Sequence, residues 1–234
     1  SRGFTVACYN RTAARLDAFL SGRGRGRTLI GCRSLGEVAA HLKRPRKIMM
    51  MVRAGQAVDE LINAAAPHLE PGDILIDGGN SHFSDTLRRS VAAGEKGLLY
   101  VGAGVSGGEE GALSGPSIMP GGHAAAWPAL KPIFQAIAAK AESGLPCCEW
   151  LGPDGSGHFV KMVHKGIEYS DMQLIGESYH LMSPGVGMSA GEFDAGKPPE
   201  EHVVQAAGGC AGREGEGAGL HAGGVRPPRE RPAH

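Results

Sequence analysis

Short apolar runs alternate along the chain with segments in which apolar residues recur every three to four positions. The runs at residues 4–9, 28–30, 47–52, 74–77 and 98–101 are four to six residues long or shorter and rich in Val, Ile, Leu and Met, as buried strands are. Between them, residues 13–20, 35–42, 56–69 and 84–96 carry the helical period. Ser34 and Glu37 form an S-x-x-E capping box for the second of these helices. This alternation predicts an α/β fold, a Rossmann-like doubly wound parallel sheet. A further helix is predicted from about Pro128 to Lys140, a short strand over 148–151, and one long helix over 155–182. The chain changes character at that helix and ends in a tail over 196–234. From Ser183 onward there are 12 Gly and 6 Pro but only seven of Val, Ile, Leu, Met, Phe and Trp, so the tail is expected to carry no cooperative structure.

Composition narrows the class. With 24 basic and 24 acidic residues the net charge is zero, and no global field recruits nucleic acid or anionic lipid. No apolar run approaches the roughly 20 residues that span a bilayer. Five scattered cysteines without C-x-x-C spacing point to a reducing, cytoplasmic setting, with a plastid as the alternative if a leader once preceded Ser1. No His/Cys/carboxylate set has metal-ligand spacing. Glycine, at 38 residues, is the compositional outlier and points to many tight turns or a disordered segment, both of which are expected here.

In a doubly wound sheet, ligands bind beyond the carboxyl ends of the strands. The first such end reads Asn10-Arg11-Thr12, where an NAD site would place a carboxylate. An amide, a guanidinium and a hydroxyl suit an additional phosphate, so NADP is the expected cofactor, although a solvated turn with Thr12 as N-cap explains the same residues. Val52-Arg53-Ala54 and Asp77-Gly-Gly-Asn80 are two further strand ends, and Asn80 can both donate and accept hydrogen bonds. The G-x-G-x-x-G match from Gly102 to Gly107 is rejected as a dinucleotide fingerprint because no crossover helix fits before Pro116. The overlapping G-x-S-x-G around Ser106 is rejected as a nucleophile elbow, since the glycines that follow make a full helix there unlikely on propensity grounds. A loop of this kind can still offer Ser106, Gly107 and Gly108 to an anionic or hydroxylated substrate.

The long helix carries the titratable groups. With Lys161 at 0° and about 100° per residue, His164, Glu168 and Lys165 fall within roughly 60° of it, while Val163, Ile167, Leu174 and Leu181 cluster on the opposite side. Amphipathicity alone predicts that the apolar side is buried and the ionisable side solvated.

Taken together, Tyr9-Asn-Arg-Thr12, Ile76-Asp-Gly-Gly-Asn-Ser81, Gly104-Val-Ser-Gly-Gly-Glu-Glu-Gly-Ala112, Gly115-Pro-Ser-Ile-Met-Pro-Gly-Gly122 and Gly157-His-Phe-Val-Lys-Met-Val-His164 followed by Gly166-Ile-Glu-Tyr169 closely resemble the decarboxylating 6-phosphogluconate dehydrogenases. The likeness spans about residues 4–195. It implies oxidative decarboxylation of 6-phosphogluconate to ribulose 5-phosphate and carbon dioxide with reduction of NADP, a step of the pentose phosphate pathway and of gluconate utilisation. Asn10, Arg11 and Thr12 would hold the adenosine 2′-phosphate, with Val52, Arg53, Ala54 and Asn80 along the cofactor. Asn80, Ser106, Gly107, Gly108, His164 and Tyr169 would hold the substrate. Lys161 would act as base at the C3 hydroxyl and then as ammonium on the new ketone, and Glu168 would protonate the enediol at C1. The resemblance also implies a homodimer, and an organisation into an NADP-binding domain over 1–153, the start of an all-α domain over 154–195 and an unrelated tail over 196–234. Lysine stands at 165 where the family has asparagine, and the family's first strand with its glycine-rich turn and most of its helical domain have no counterpart in these 234 residues. The expectation is therefore a chain truncated at both ends and close to inactive by itself. The alternatives are a non-catalytic NADP-binding fragment, a pseudoenzyme, or another β-hydroxyacid dehydrogenase.

Overall fold

A computed structural model of the chain describes residues 2–187 together with Ser189 and Gly191. The expectations for 196–234 lie outside the described residues. The chain divides into two compact units, 1–169 and 170–234.

The first unit contains six strands and six complete helices, with the start of a seventh. In chain order they are β1 (Val6–Tyr9), α1 (Ala13–Ser21), β2 (Leu29–Cys32), α2 (Leu35–His41), β3 (Lys47–Met50), α3 (Gln56–Ala65), β4 (Ile74–Asp77), α4 (Phe83–Gly94), β5 (Leu99–Ser106), α5 (Gly108–Ser114), β6 (Ser117–Gly122), α6 (Trp127–Ile137) and α7 (Ser156–Val186). Strands β1 and β2 pair in parallel, and β3, β4 and β5 form a second parallel group. The strands thus form two sheets, β1-β2 and β3-β4-β5-β6, in a Rossmann-like α/β fold, with β4 buried along its whole length as expected of a strand covered on both faces.

The local signals behave as their chemistry dictates. Ser34 Oγ accepts the Glu37 N–H at 3.1 Å, and the Glu37 carboxylate reaches back to the Arg33 N–H at 2.7 Å, so the capping box closes one residue earlier than its usual reciprocal bond. Two cores lie against the sheet. One gathers Val38, Met50, Val58, Ile62, Leu75 and Tyr100, and the other Ile76, Val101, Ile118, Leu130, Phe134 and Cys148.

Several expectations required correction. Strand β5 runs on to Ser106, so the rejected G-x-G-x-x-G stretch is largely extended strand, and it pairs antiparallel with β6. The sheet is thus mixed at this edge. The connection through α5 is shorter than the dozen or so residues of a parallel crossover, so the chain can only return antiparallel. Residues 117–122, Ser-Ile-Met-Pro-Gly-Gly, gave no strand signal because Pro and Gly are poor strand formers. A seven-residue helix, α5, does follow Ser106, initiated by Gly107 at φ 129° and Gly108 at φ 59°, conformations that only glycine adopts freely. The strand expected over 148–151 reduces to a single bridge from Cys148 to Ile118. Cys8, Cys32, Cys147 and Cys148 are all free thiols, and burial pushes the Cys148 thiol up to about 12.

In the second unit, the described residues continue α7, and Met172, Leu174, Ile175 and Leu181 are exposed.

Candidate active site

The site is organised by glycine. The first turns of α7 lie directly on β5. A side chain at Gly104 would sit 2.5 Å from the Lys161 Cβ, and one at Gly102 would sit 2.8 Å from the His158 ring. Gly157 in turn has no room for a side chain against Gly102 and Met119. Close approach of helix to strand, possible only without Cβ atoms, places Lys161 over the strand that ends in Ser106.

The orientation of α7 reverses the amphipathic expectation. Lys161 is 6% exposed and His158 2% exposed, whereas Val163 and Ile167 are 44% and 60% exposed. Burial lowers the Lys161 pKa from the ordinary lysine value. Glu168 opposes that shift and Lys165 adds to it. No hydrogen bond or ion pair involves the Lys161 ammonium among the described residues, so its amine is poised to act on something else.

His164 and Glu168 occupy the next turns on the same side, with Nδ1 and Oε2 3.5 Å apart. That separation admits an ion pair when the imidazole is protonated but makes no hydrogen bond, and His164 Nδ1 is left without one. Lys165 lies 5.8 Å from the Tyr169 ring, within cation–π range. His164 also borders a groove of about 290 Å³ with Ser117, Met119 and Cys147. None of the other residues assigned to substrate lines that groove.

The strand-end turn after β4 is held by a buried polar network that the sequence did not reveal. The Asp77 carboxylate accepts the Gly79 N–H at 3.1 Å, the Ser81 hydroxyl at 2.6 Å and the Tyr100 hydroxyl at 3.2 Å. Arg89, 2% exposed on α4, donates to Ser81 Oγ at 3.1 Å and to the Gly55 carbonyl at 2.9 Å, and forms a two-pronged pair with Asp59 at 3.0 Å. Its hydrogen bonds, followed by those of Arg88, hold the Asp59 carboxyl well below the usual carboxylate range. One guanidinium thus joins the turn after β3, which carries Val52, Arg53 and Ala54, to the turn that carries Asn80. Asn80 itself is exposed, free to meet a ligand.

From the other side His158 closes the same turn, with Nε2 3.1 Å from the Gly79 carbonyl and Nδ1 2.6 Å from Thr86 Oγ1. A carbonyl only accepts, so Nε2 carries the proton; Nδ1 then accepts from the Thr86 hydroxyl. Desolvation lowers the His158 pKa and favours this neutral ring. The sequence held one weak signal for these residues: Asp77, Ser81 and His158 lie inside the quoted motifs. Arg89, one of two adjacent arginines on a helix, gave none.

The turn after β1 is built differently. Asn10 Oδ1 accepts the Thr12 N–H at 2.9 Å, shaping an Asx turn. Thr12 stands at the N-cap of α1, yet its hydroxyl makes no capping bond, and Arg11 is exposed with no ion-pair partner among the described residues. A free guanidinium and a free hydroxyl at a helix start fit a phosphate group. No group of His, Cys, Asp or Glu among the described residues is arranged to hold a metal.

A Rossmann-like α/β fold with open strand-end turns and a buried helical lysine defines the class: a Rossmann-type dinucleotide-binding fold. The family model for the NAD binding domain of 6-phosphogluconate dehydrogenase matches residues 1–152, and that for the enzyme's C-terminal domain matches 157–195. The chain belongs to the 6-phosphogluconate dehydrogenase family. It is 59% identical over 193 residues to the decarboxylating 6-phosphogluconate dehydrogenase of Haemophilus influenzae, covering 82% of this chain and 40% of that protein. It is 56% identical over 191 residues to the Homo sapiens enzyme, covering 82% of this chain and 40% of that protein. Among solved structures, Plasmodium falciparum 6-phosphogluconate dehydrogenase, studied as apo protein, with NADP+ and with 6-phosphogluconate, superposes with a TM-score of 0.74 at 43% identity, over 78% of this chain and 39% of that one. The chain therefore spans about two fifths of the length of these relatives. A 3-hydroxyisobutyrate dehydrogenase from Mycobacterium tuberculosis, 21% identical with a TM-score of 0.60, shares the fold.

Proposed function

We propose that the chain carries the part of a 6-phosphogluconate dehydrogenase site that binds the sugar acid and performs its proton transfers, together with the 2′-phosphate pocket of NADP. The observation that supports this most is Lys161: buried, without a hydrogen-bond or ion-pair partner among the described residues, its pKa lowered, and laid against a glycine strand, as suits a base that removes a proton from a substrate hydroxyl. A base must be neutral to accept that proton, and burial supplies the shift.

In this reading the Lys161 amine takes the C3 hydroxyl proton. As an ammonium it then hydrogen-bonds the C3 ketone oxygen, which draws the electrons released when the C1 carboxylate leaves as carbon dioxide. Glu168 delivers the proton to C2 of the sugar acid, the carbon that the carboxylate has left and that becomes C1 of the pentulose product. Asn80, Ser106, Gly107, Gly108, His164 and Tyr169 orient the sugar acid by hydrogen bonds, so that binding fixes the geometry before the proton moves. NADP, when bound, accepts the hydride from C3. Arg11 and Thr12 would hold its 2′-phosphate, Asn10 shaping their turn, with Val52, Arg53 and Ala54 alongside. Division into a cofactor domain over 1–153 and a helical domain from 154, and assembly as a homodimer, belong to the same reading.

Titration of the 234-residue chain with 6-phosphogluconate, followed by amide chemical shifts, tests it. The reading expects shifts at Asn80, Ser106 to Gly108 and His164 that vanish in Lys161→Ala. Shifts confined to other surfaces would overturn it.

A further inference from the structure

Two parts of the candidate site come from distant stretches of chain. Asn80 sits on the turn after β4, and Lys161 sits on α7. His158 is one helical turn before Lys161 on the same face and is fully enclosed. Both of its ring nitrogens are used away from its own helix: Nε2 on the Gly79 carbonyl, the residue next to Asn80, and Nδ1 on Thr86 of α4. Gly102 beneath the ring leaves the space that this reach requires.

We infer that His158 is a positioning residue that sets the Asn80 turn in register with the helix carrying Lys161. The inference deepens the proposed function and rests on it for its catalytic meaning. The physical case is geometric. Gly78 and Gly79 have no side chains, so their stretch of the turn is held through backbone groups alone, the Gly78 N–H donating to the Met50 carbonyl at 3.0 Å. Asp77 holds the Gly79 N–H from the strand side, and His158 holds the Gly79 carbonyl from the helix side. The peptide units flanking Gly79 are thus fixed at two points, and one of them moves with Lys161. The Thr86 hydroxyl keeps the ring from rotating out of line. A nonpolar side chain of similar size would fill the cavity but leave the carbonyl without its donor.

The test compares His158→Leu with His158→Gln, whose amide has one donor end and one acceptor end as the neutral ring does. Amide hydrogen exchange is measured along the 234-residue chain, and 6-phosphogluconate affinity by titration. In His158→Leu, exchange at Gly79 and Asn80 should rise about tenfold, the scale of one buried hydrogen bond. The β4 amides should stay within about twofold, and His158→Gln should recover most of the protection. Affinity for 6-phosphogluconate should fall and recover in parallel. Should the leucine chain fail to fold, Thr86→Val gives the same readout through loss of the ring's second partner, with a rise at Gly79 of several-fold. An unchanged turn, or a loss of protection spread equally over β4 and β5, overturns the inference. If the unsubstituted chain binds no 6-phosphogluconate, the proposed function fails, while the exchange pattern still decides whether His158 fixes the turn.

Discussion

The turn after β4 and the turn after β1 are both strand ends of the same unit, and they are built on opposite principles. The first is anchored from three sides by Asp77, Arg89 and His158, all buried. The second is shaped by one Asx bond and presents Arg11 and Thr12 unengaged. A side chain that must orient a substrate within a fraction of an ångström benefits from a rigid mount. A phosphate recognised by charge needs only a guanidinium within reach, and its own oxygens complete the geometry. In the proposed reading, the contrast separates a mount that orients Asn80 from a turn that recognises charge.

The sharpest way to break this contrast is at Arg89. Arg89→Met leaves the buried Asp77 without its cation and Asp59 with only the exposed Arg88, and loss of one partner of such a buried pair costs about 3 to 5 kcal/mol. Urea denaturation should show the midpoint falling with little change in slope. Arg89→Lys should recover little, because a single ammonium cannot span Gly55, Ser81 and Asp59 together. A cost below about 1 kcal/mol would mean that the β4 turn is no better anchored than the β1 turn.

Gly104→Ala comes next. The added methyl meets the Lys161 Cβ, and overpacking of this kind costs about 1 to 3 kcal/mol. Thermal unfolding measures the loss, and 6-phosphogluconate affinity should fall with it because α7 is pushed off β5.

Lys161→Met should act through pH. The folded-state pKa of Lys161 lies below its unfolded value of 10.5, so between the two values the unfolded chain binds more protons at this position, and below both the cost of burying the ammonium is present in full. Stability rises as pH passes from the folded toward the unfolded pKa. Methionine removes that dependence, so the variant should be more stable than the parent near pH 7, and the gain should shrink as pH approaches 10.5. Unfolding midpoints across that window check the sign.

Arg11→Ala should have the smallest effect on stability, within about 0.5 kcal/mol for an exposed side chain away from packing. Its effect should appear in ligand preference instead: loss of a charged hydrogen bond to a 2′-phosphate lowers preference for NADP over NAD by roughly 10- to 100-fold. Competition titrations measure the ratio. A stability loss comparable to that of Gly104→Ala would show that the β1 turn is also structural.

What the sequence determined by itself was local or carried by contiguous residues. The apolar runs marked β4 to the residue, Ser34 and Glu37 marked the start of α2, and the motifs around Asn80, Ser106 and Lys161 marked the family. Each of these depends on neighbours within a few positions, which a linear pattern records. The tertiary structure decided which face of α7 is buried. Helical periodicity separated Lys161 from Val163 and Ile167 correctly but assigned burial to the wrong side, because hydrophobicity favours an apolar contact only where the partner surface has side chains to meet it. Here the partner is a glycine strand whose close approach selects the helix face with Gly157, and His158 and Lys161 enter with it. The antiparallel β6 and the reach of Arg89 across three elements were settled in the same way. Pairing partners and buried hydrogen-bond networks join residues far apart in the chain, and no periodicity encodes the distance between them.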